Sequence, residues 1–182
     1  MTVMDSHENP LVANTTDPKA GTPHADGELP DLELGALAPD FTLRDQFGQD
    51  VTLSSYRGTK AVAIFFFPFA FSGVCTGEMS GIRDRLDEFL TFDTEVLAIS
   101  CDPVYALRAF ADADGLNFPL LSDFWPHGAV TREYGVFDPV RGAPRRSSYI
   151  LDKAGTVRWS VHNANPDGRD LDEHLKVLRS LA

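Results

Sequence analysis

Residues Phe65–Gly81 read FFFPFAFSGVCTGEMSG, and this stretch decides the fold. It contains the end of an apolar run, Ala61–Phe67, which lacks the alternation of a half-exposed strand and therefore predicts a central strand covered on both faces. Pro68 ends that strand, because proline has no N–H to donate and holds the preceding residue in an extended conformation. The chain must leave the sheet at this point, and it reaches Cys75 seven residues later, where a helical pattern begins.

The sequence after Cys75 alternates between helical and strand patterns. Residues 79–90 place apolar side chains at helical spacing, residues 95–100 (EVLAIS) predict a second buried strand, and a second amphipathic helix follows. Strand, helix, strand and helix in this order favour parallel pairing of the two strands. The apolar positions are Met79, Ile82, Leu86, Phe89 and Leu90 in the first helix and Val104, Leu107, Phe110 and Ala111 in the second.

Turn signals in the first and last thirds of the chain predict antiparallel hairpins. FTLRDQFGQDVTL has two short alternating runs around Gly48, and SSYILD and VRWSVH flank a turn at Gly155. The last segment, DLDEHLKVLRSL, predicts a closing helix. We therefore expect an α/β fold with a central mixed β-sheet, helices on both faces and an N-terminal β-hairpin. The apolar positions of the closing helix are Leu171, Leu175, Leu178 and Leu181.

Length and composition predict one domain. The chain has 182 residues with 43% hydrophobic content, enough for a single core of ordinary size. Residues 1–30 carry few large apolar side chains to offset the entropy of ordering, so they predict a disordered N-terminal tail. The domain itself is expected at residues 31–182.

Charge and hydropathy narrow the partners and the compartment. The net charge is −11, without a stripe of Lys and Arg that could follow a phosphate backbone, so we expect no nucleic-acid partner. No apolar run reaches the roughly 18 residues of a membrane span, and MTVMDSHENP at the start lacks the basic and apolar regions of a signal peptide. These features predict a cytoplasmic protein without a membrane partner.

Cys75 and Cys101 are the only cysteines of the chain, which fits a reducing compartment. The five histidines are scattered and none lies near a cysteine in sequence, so we expect neither a structural metal nor a cofactor. Each cysteine therefore needs an explanation of its own.

Cys75 is placed to react, because ligand sites in open α/β sheets gather beyond the carboxyl ends of the strands, where FAFSGVC lies. In the first turn of a helix the backbone N–H groups are unpaired and the dipole is positive, and both stabilise a thiolate, the form that attacks. A small buried hydrophobic residue is the alternative interpretation of Cys75. Ser72 either directs its hydroxyl toward the thiolate or only caps the helix. The spacing alone decides neither question.

PFAFSGVC, residues 68–75, resembles the P-x-x-x-[T/S]-x-x-C signature of the peroxiredoxins, thiol peroxidases with a thioredoxin-like fold. APDFTLRDQFGQDVTL and FPLLSDFWPHGAVTREYGVF are similar to the flanking segments of the family, and the resemblance covers residues 32–182. The pair Gly77-Glu78 resembles the alkyl hydroperoxide reductase E-like branch. The resemblance implies a thioredoxin-like fold and thiol-dependent reduction of hydrogen peroxide and organic hydroperoxides, an antioxidant activity.

The resemblance also implies roles for individual residues. Cys75 is the peroxidatic nucleophile, Ser72 takes the place of the usual threonine that bonds the peroxide, and Pro68 shields the thiolate from water. The family places an arginine before a strand of the form R-x-x-[F/Y]-[V/I]-x-D, which RSSYILD matches at Arg146, and a cation there would stabilise the charge growing on the leaving oxygen. Arg145 is adjacent, but neighbours in a strand point opposite ways, so we favour Arg146. The alternative is that both arginines are solvated surface charges.

Two further residues match the family pattern. Glu78 is expected to hold the guanidinium of Arg146 by a charge-assisted bond, or it is only an acid favoured by the dipole in the first helical turn. Trp125 in SDFWPHG matches an aromatic residue near the rim of the family's active site, although a buried structural tryptophan is the more common role.

Reduction of the sulfenic acid formed on Cys75 requires a second cysteine or an external thiol. The resolving position of the family within the same helix is Ser80 here, and the C-terminal segment has no cysteine. Cys101 is not at a usual resolving position, so we interpret it as a buried structural thiol, with a resolving role as the alternative. The prediction is a one-cysteine cycle, regenerated by a low-molecular-weight thiol or by a mycoredoxin-, glutaredoxin- or thioredoxin-like protein.

Two other enzyme classes fail on the spacing around Cys75. A thioredoxin-type reductase needs a second cysteine three residues away, where Ser72 and Glu78 stand, and a cysteine phosphatase needs an arginine where Gly81 stands. A non-catalytic redox sensor or a chaperone-like module that uses the same thiolate stays open. The resemblance further implies a homodimer, for which the aromatic segments FPFAF and DFWPHG would supply an apolar patch.

Overall fold

The computed structural model of the protein describes residues 31–163 and 168–182. The predicted disordered tail, residues 1–30, lies outside the described residues. The strands are β1 Thr42–Arg44, β2 Asp50–Thr52, β3 Ala61–Phe66, β4 Thr94–Ser100, β5 Leu120–Ser122, β6 Phe137–Asp138, β7 Ala143–Pro144, β8 Ser147–Leu151 and β9 Val157–His162. The helices are α1 Gly73–Asp84, α2 Leu86–Leu90, α3 Val104–Asp114, α4 Ala129–Glu133 and α5 Leu171–Leu181.

Seven strands form one mixed sheet in the order β2-β1-β5-β4-β3-β8-β9. β3 is parallel to β4 and β4 is parallel to β5, whereas β8 runs antiparallel to β3 on its other side. Phe66 of β3 faces Ile99 of β4, so the carboxyl ends of these two strands lie at the same edge of the sheet. The predicted mixed sheet with a central parallel pair is confirmed.

The two predicted hairpins are also present. β1 and β2 pair around a turn in which Gly48 adopts φ +79° and a carboxylate oxygen of Asp45 accepts two turn amides. β8 and β9 pair around Gly155, where φ is +83° and the Asp152 carboxylate has the same function. Positive φ favours glycine, which explains why sequence patterns identify both turns.

The two faces of the sheet bear separate hydrophobic cores, because alternate residues of β3 point to opposite sides. The first core contains Phe65 and Phe67 with apolar side chains of α1, α2, α3 and α5. The second core contains Ile64 and Phe66 with side chains of α4 and of the segment that follows it. Every residue of β3 is buried, as the apolar run without alternation predicts.

The single helix predicted over residues 79–90 is two helices, α1 and α2, separated at Arg85. The backbone of Arg85 leaves helical geometry (φ −114°, ψ 12°), and its guanidinium bonds Asp172 of α5 at 2.8 Å. The change of direction buries Phe89 and leaves Leu90 48% exposed. The assignment of Leu90 to the buried face is therefore wrong, because helical periodicity does not continue through the break.

Candidate active site

The loop between β3 and α1 is fixed to the neighbouring strand end. The amide of Ala70 donates a 2.9 Å hydrogen bond to the carboxylate of Asp102, which follows β4, and the hydroxyl of Ser100 donates to the same carboxylate at 2.8 Å. Pro68, the second residue of the loop, is buried. The carboxyl ends of the two parallel strands thus hold the loop that leads to Cys75.

Phe71 gives this loop an unusual backbone just before the helix. Its φ of +63° lies in the left-handed region that bulky side chains rarely adopt, and its ring packs against Phe110 of α3 at a centroid distance of 5.1 Å. The next residue, Ser72, occupies the N-cap position of α1, but its side chain makes no capping hydrogen bond. The structure therefore leaves the Ser72 hydroxyl available for another partner.

Cys75 is the third residue of α1 and its side chain is completely buried in the first core. The amides of the first helical turn precede the first i→i−4 hydrogen bond, which runs from the amide of Thr76 to the carbonyl of Ser72. Cys75 therefore lies in the turn at the positive end of the α1 dipole, in a position closed to bulk water.

Arg146, which directly precedes β8, contacts the sulphur of Cys75. Both terminal nitrogens of its guanidinium, Nη1 and Nη2, lie 3.6 Å from Sγ of Cys75, and its side chain is 4% exposed. Arg145 points the other way, to the carboxylate of Asp31 at 3.0 Å and to the carbonyl of Gly135. The structure thus brings Arg146, and not Arg145, to the sulphur.

Glu78 lies one helical turn after Cys75 and connects two arginines. Its carboxylate oxygen Oε2 accepts from Arg146 and, at 3.0 Å, from Nη1 of Arg169, while Oε1 accepts from the backbone amide of Arg169 at 3.0 Å. The side chains of Glu78 and Arg169 are 6% and 1% exposed, respectively. All three charges are therefore withdrawn from solvent and depend on one another.

Arg169 is the member of this buried charged group that the sequence analysis misses. Its guanidinium also donates to the carbonyls of Phe66 and Ser147, where β3 ends and β8 begins. Burial lowers the pKa of Arg169 to about 10, with Glu78 opposing that shift, so the side chain is still a cation at neutral pH. The one available signal is an arginine directly before the N-cap Asp170, where the helix dipole disfavours a cation unless an acidic partner is present.

The three charged side chains beside the sulphur do not cancel one another. Arg146 and Arg169 contribute two positive charges and Glu78 one negative charge, so the buried group is positive with a neutral thiol and neutral with a thiolate. A negative charge at the sulphur would therefore complement the one positive charge that the three side chains leave uncompensated.

Trp125 does not belong to this group. Its side chain is 83% exposed, so the alternative of a buried structural tryptophan does not hold. It lines a groove of about 830 Å³ together with the exposed rings of Phe47, Tyr105 and Phe124. That groove lies between the turn after β1, the start of α3 and the segment after β5.

Cys101 lies on the opposite face of the sheet from Cys75. It continues the alternation of Leu97 and Ile99, which belong to the second core, and a Cβ atom added to Gly128 would lie 3.5 Å from its Sγ. Burial, reinforced by the charge of Asp123, raises the pKa of the Cys101 thiol to about 12. Both cysteines are free thiols.

The described ranges contain no group of three or more His, Cys, Asp or Glu side chains arranged to hold a metal ion.

Comparisons with known proteins point to one family. The sequence profile of the AhpC/TSA family matches residues 34–160. Alkyl hydroperoxide reductase E of Mycobacterium tuberculosis is 48% identical over 139 residues, covering 76% of this chain and 91% of that protein. The chloroplastic 2-Cys peroxiredoxin BAS1 of Hordeum vulgare is 36% identical over 162 residues, covering 83% of this chain and 76% of the relative.

A solved structure agrees with these relatives. The crystal structure of peroxidoxin BcpB from Mycobacterium tuberculosis has a TM-score of 0.75 and 30% sequence identity, covering 83% of this chain and 99% of that one. The matched region contains the parallel pair β3 and β4, the loop to α1 and the strand that follows Arg146. The chain therefore belongs to the AhpC/TSA family and is a peroxiredoxin.

Proposed function

We propose that this thiol-dependent peroxidase reduces hydrogen peroxide and organic hydroperoxides in a one-cysteine cycle with Cys75 as the nucleophile. The observation that carries the proposal is the pair of 3.6 Å contacts from the guanidinium of Arg146 to the sulphur of Cys75. The two N–H groups directed at the sulphur can form charge-assisted hydrogen bonds to a thiolate, and the thiolate is the attacking species.

In the first step the thiolate of Cys75 attacks one oxygen of the hydroperoxide. An S–O bond forms and the O–O bond breaks, so the sulphur is oxidised by two electrons to a sulfenic acid and the peroxide is reduced to an alcohol or to water. The leaving oxygen takes up a proton. Negative charge grows on that oxygen during the step, and the N–H groups of Arg146 stabilise it in the transition state more than in the ground state.

Ser72 and Pro68 complete the substrate side of the proposal. The Ser72 hydroxyl is not used by the helix cap and can donate a hydrogen bond to the bound peroxide. Buried Pro68 offers no N–H to water at the end of β3 and so helps to keep the thiolate dry. Because Cys75 itself is fully buried, the side chains over the sulphur must move when a peroxide enters.

Glu78 and Arg169 act as positioning residues for Arg146. An isolated arginine has many rotamers, and ordering one for catalysis costs conformational entropy. The carboxylate of Glu78 fixes the guanidinium of Arg146, and Arg169 in turn fixes the carboxylate with two 3.0 Å hydrogen bonds. The transition-state donor is therefore already in place before the substrate binds.

The location of Cys101 supports regeneration by an external thiol. The two sulphurs lie on opposite faces of the sheet, whereas a disulfide needs Cα atoms within about 7 Å and Cβ atoms that point at each other. A low-molecular-weight thiol would attack the sulfenic acid, release water and leave a mixed disulfide on Cys75. A mycoredoxin-, glutaredoxin- or thioredoxin-like protein would then reduce that mixed disulfide.

We further propose a homodimer that covers the groove at Trp125. Four exposed aromatic rings in one groove are an unusual surface for a monomer, and aromatic residues are enriched in protein interfaces. Arg44, Asp50 and Arg108 also line the groove and supply polar groups around the rings, as the polar rim of an interface does. Sedimentation of the Trp125→Glu variant tests this interface, and the variant should be a monomer. The wild type and the control Val140→Glu, which changes an exposed residue outside the groove, should sediment as dimers. A monomeric wild type would contradict the proposal.

A cytoplasmic location is part of the proposal. Both cysteines are free thiols, as expected in a reducing compartment. Among the described helices, none has the length and apolar character needed to cross a bilayer.

Sustained peroxide consumption with a thiol donor tests the proposed function. Wild-type protein and Cys101→Ser should consume many equivalents of hydrogen peroxide per chain, and Cys75→Ser should consume none above the uncatalysed rate. Consumption by wild type that stops after one equivalent per chain with every donor would instead indicate a redox sensor. Turnover by Cys75→Ser would overturn the assignment of the nucleophile.

A further inference from the structure

A buried histidine lies behind the charged group of the active site. His174 of α5 is 1% exposed and is enclosed by two aromatic rings: Phe65 of β3 is stacked on it at a centroid distance of 5.1 Å, and Trp159 of β9 meets it edge-on at 4.7 Å. The other buried residues of α5 are leucines, Leu175 and Leu178. A polar histidine on this apolar face therefore calls for an explanation besides packing.

The hydrogen bonds of His174 define its charge and tautomer. Its Nδ1 lies 2.7 Å from the carbonyl oxygen of Asp170, and because a carbonyl only accepts, Nδ1 bears the proton. Nε2 is buried without a hydrogen-bond partner among the described residues. Burial, and after it the nearby charge of Arg169, lowers the pKa of His174 to about 4, so the ring is neutral under ordinary conditions.

His174 is connected to Arg169 by two routes. Asp170, whose carbonyl accepts the His174 proton, is the N-cap of α5 and directly follows Arg169 in the chain. The Phe65 ring that stacks on His174 also lies 5.6 Å from the guanidinium carbon of Arg169. The histidine therefore touches both the backbone beside Arg169 and the ring beneath its side chain.

We propose that His174 is a positioning residue of the peroxidase site, which fixes Arg169 through Asp170 and Phe65 and thereby holds Glu78 and Arg146 at Cys75. The inference rests on the function proposed above and extends it to a residue outside the site. A neutral ring suits this role, because a cationic one would place a third positive charge beside two arginines that share one carboxylate. Asp170 is the acidic residue next to the ring, and its carboxylate accepts a 2.9 Å hydrogen bond from the backbone amide of Asp172.

Two substitutions of His174 distinguish a role in positioning Arg169 from a role in packing alone. His174→Phe keeps an aromatic ring between Phe65 and Trp159 but removes the donor to Asp170, whereas His174→Asn can place an amide N–H where Nδ1 stands. His174→Phe should lower the rate of Cys75 oxidation by hydrogen peroxide about fivefold to tenfold, the size expected for loss of one neutral hydrogen bond. It should also move the pH profile of Cys75 alkylation to higher pH, and His174→Asn should restore both properties.

Trp159→Phe is the matched control, because it changes the packing on the other side of the same ring and leaves the bond to Asp170 in place. It should leave the pH profile of alkylation unchanged. Equal rates and profiles in wild type, His174→Phe and His174→Asn would overturn the proposal, as would a loss that His174→Asn does not restore. If His174→Phe does not fold, His174→Met, which fills the space without a donor, takes its place.

Alkylation of Cys75 also tests the role of His174 independently of the proposed peroxidase activity. It reports on the charge environment of the sulphur and needs no peroxide. A wild type that does not turn over peroxide, but whose alkylation profile shifts in His174→Phe and recovers in His174→Asn, would refute the peroxidase cycle and keep the positioning role.

Discussion

Both terminal nitrogens of Arg146 lie 3.6 Å from the sulphur of Cys75, although the two residues are 71 positions apart in the chain. The contact exists because β8 pairs antiparallel with β3, which brings the start of one strand to the end of the other. It joins the nucleophile to the group that can stabilise the leaving oxygen. The fold is thus required for the chemistry, since neither residue meets the other through local sequence.

Arg146→Lys should lower the second-order rate of Cys75 oxidation by hydrogen peroxide by about 10²–10³-fold. Lysine keeps a positive charge, but its single ammonium nitrogen lacks the planar fork by which two guanidinium nitrogens contact the sulphur while one of them also bonds Glu78. Stopped-flow fluorescence measures the rate. Arg145→Lys is the neighbouring control and should react like the wild type, because Arg145 bonds Asp31 and Gly135 instead. Equal losses in both variants would contradict the assigned roles.

Glu78→Gln should destabilise the protein and also slow the oxidation of Cys75 by hydrogen peroxide. The substitution leaves Arg146 and Arg169 buried without their shared carboxylate, and breaking a buried ion pair costs about 3–5 kcal/mol of unfolding free energy. Urea unfolding followed by circular dichroism measures this change. Glu88→Gln, which removes a surface partner of Arg85, should cost less than about 1 kcal/mol. A loss at Glu78 no larger than the loss at Glu88 would show that the buried pair is not needed.

The depressed pKa of His174 predicts a dependence of stability on pH. Its folded-state pKa is about 4 against an ordinary value of 6.5, so between these values the unfolded chain binds a proton that the folded chain does not. Stability from this residue is complete above pH 6.5 and is lost as the pH falls toward 4. From pH 7 to pH 5 the loss should be about 2 kcal/mol.

His174→Phe lacks this titration, and contributions from other groups are shared with the wild type. The difference in unfolding free energy between pH 7 and pH 5 should therefore be smaller in the variant by about 2 kcal/mol. Urea unfolding at the two pH values gives the comparison. The same pH dependence in both proteins would mean that His174 is not buried in its neutral form.

Cys101 should be almost inert in the folded protein. Its pKa of about 12 leaves it protonated at pH 8, and the thiolate is the species that reacts with iodoacetamide. Mass spectrometry of the alkylated peptides should show slow labelling of Cys101 in the folded protein and rapid labelling of it after unfolding in urea. Fast labelling of Cys101 in the folded state would contradict its placement.

The parts of the fold that follow local rules could be predicted from the sequence. The apolar run of β3, its termination at Pro68 and the glycine turns at Gly48 and Gly155 each depend on a few adjacent residues, and each is found in the structure. The signature around Cys75 and the motif at Arg146 also point to two groups that the structure brings together.

The remaining parts depend on contacts between distant segments. Arg169 has no motif, and its place is determined by Glu78 on α1 and by the carbonyls at the ends of β3 and β8. Arg85, at the break between α1 and α2, forms an ion pair with Asp172 of α5, a contact that helical periodicity cannot show. Cys101 directly follows β4, and its position beside Gly128 depends on a contact with a distant segment, which the sequence analysis does not give.

The intact mass of the reduced protein after one equivalent of hydrogen peroxide, under non-reducing conditions, tests the central claim most directly. The one-cysteine account predicts a gain of one oxygen in the wild type and in Cys101→Ser, and no gain in Cys75→Ser. A loss of two hydrogens that requires both cysteines would contradict it, because an internal disulfide would then join thiols that the structure holds on opposite faces of the sheet.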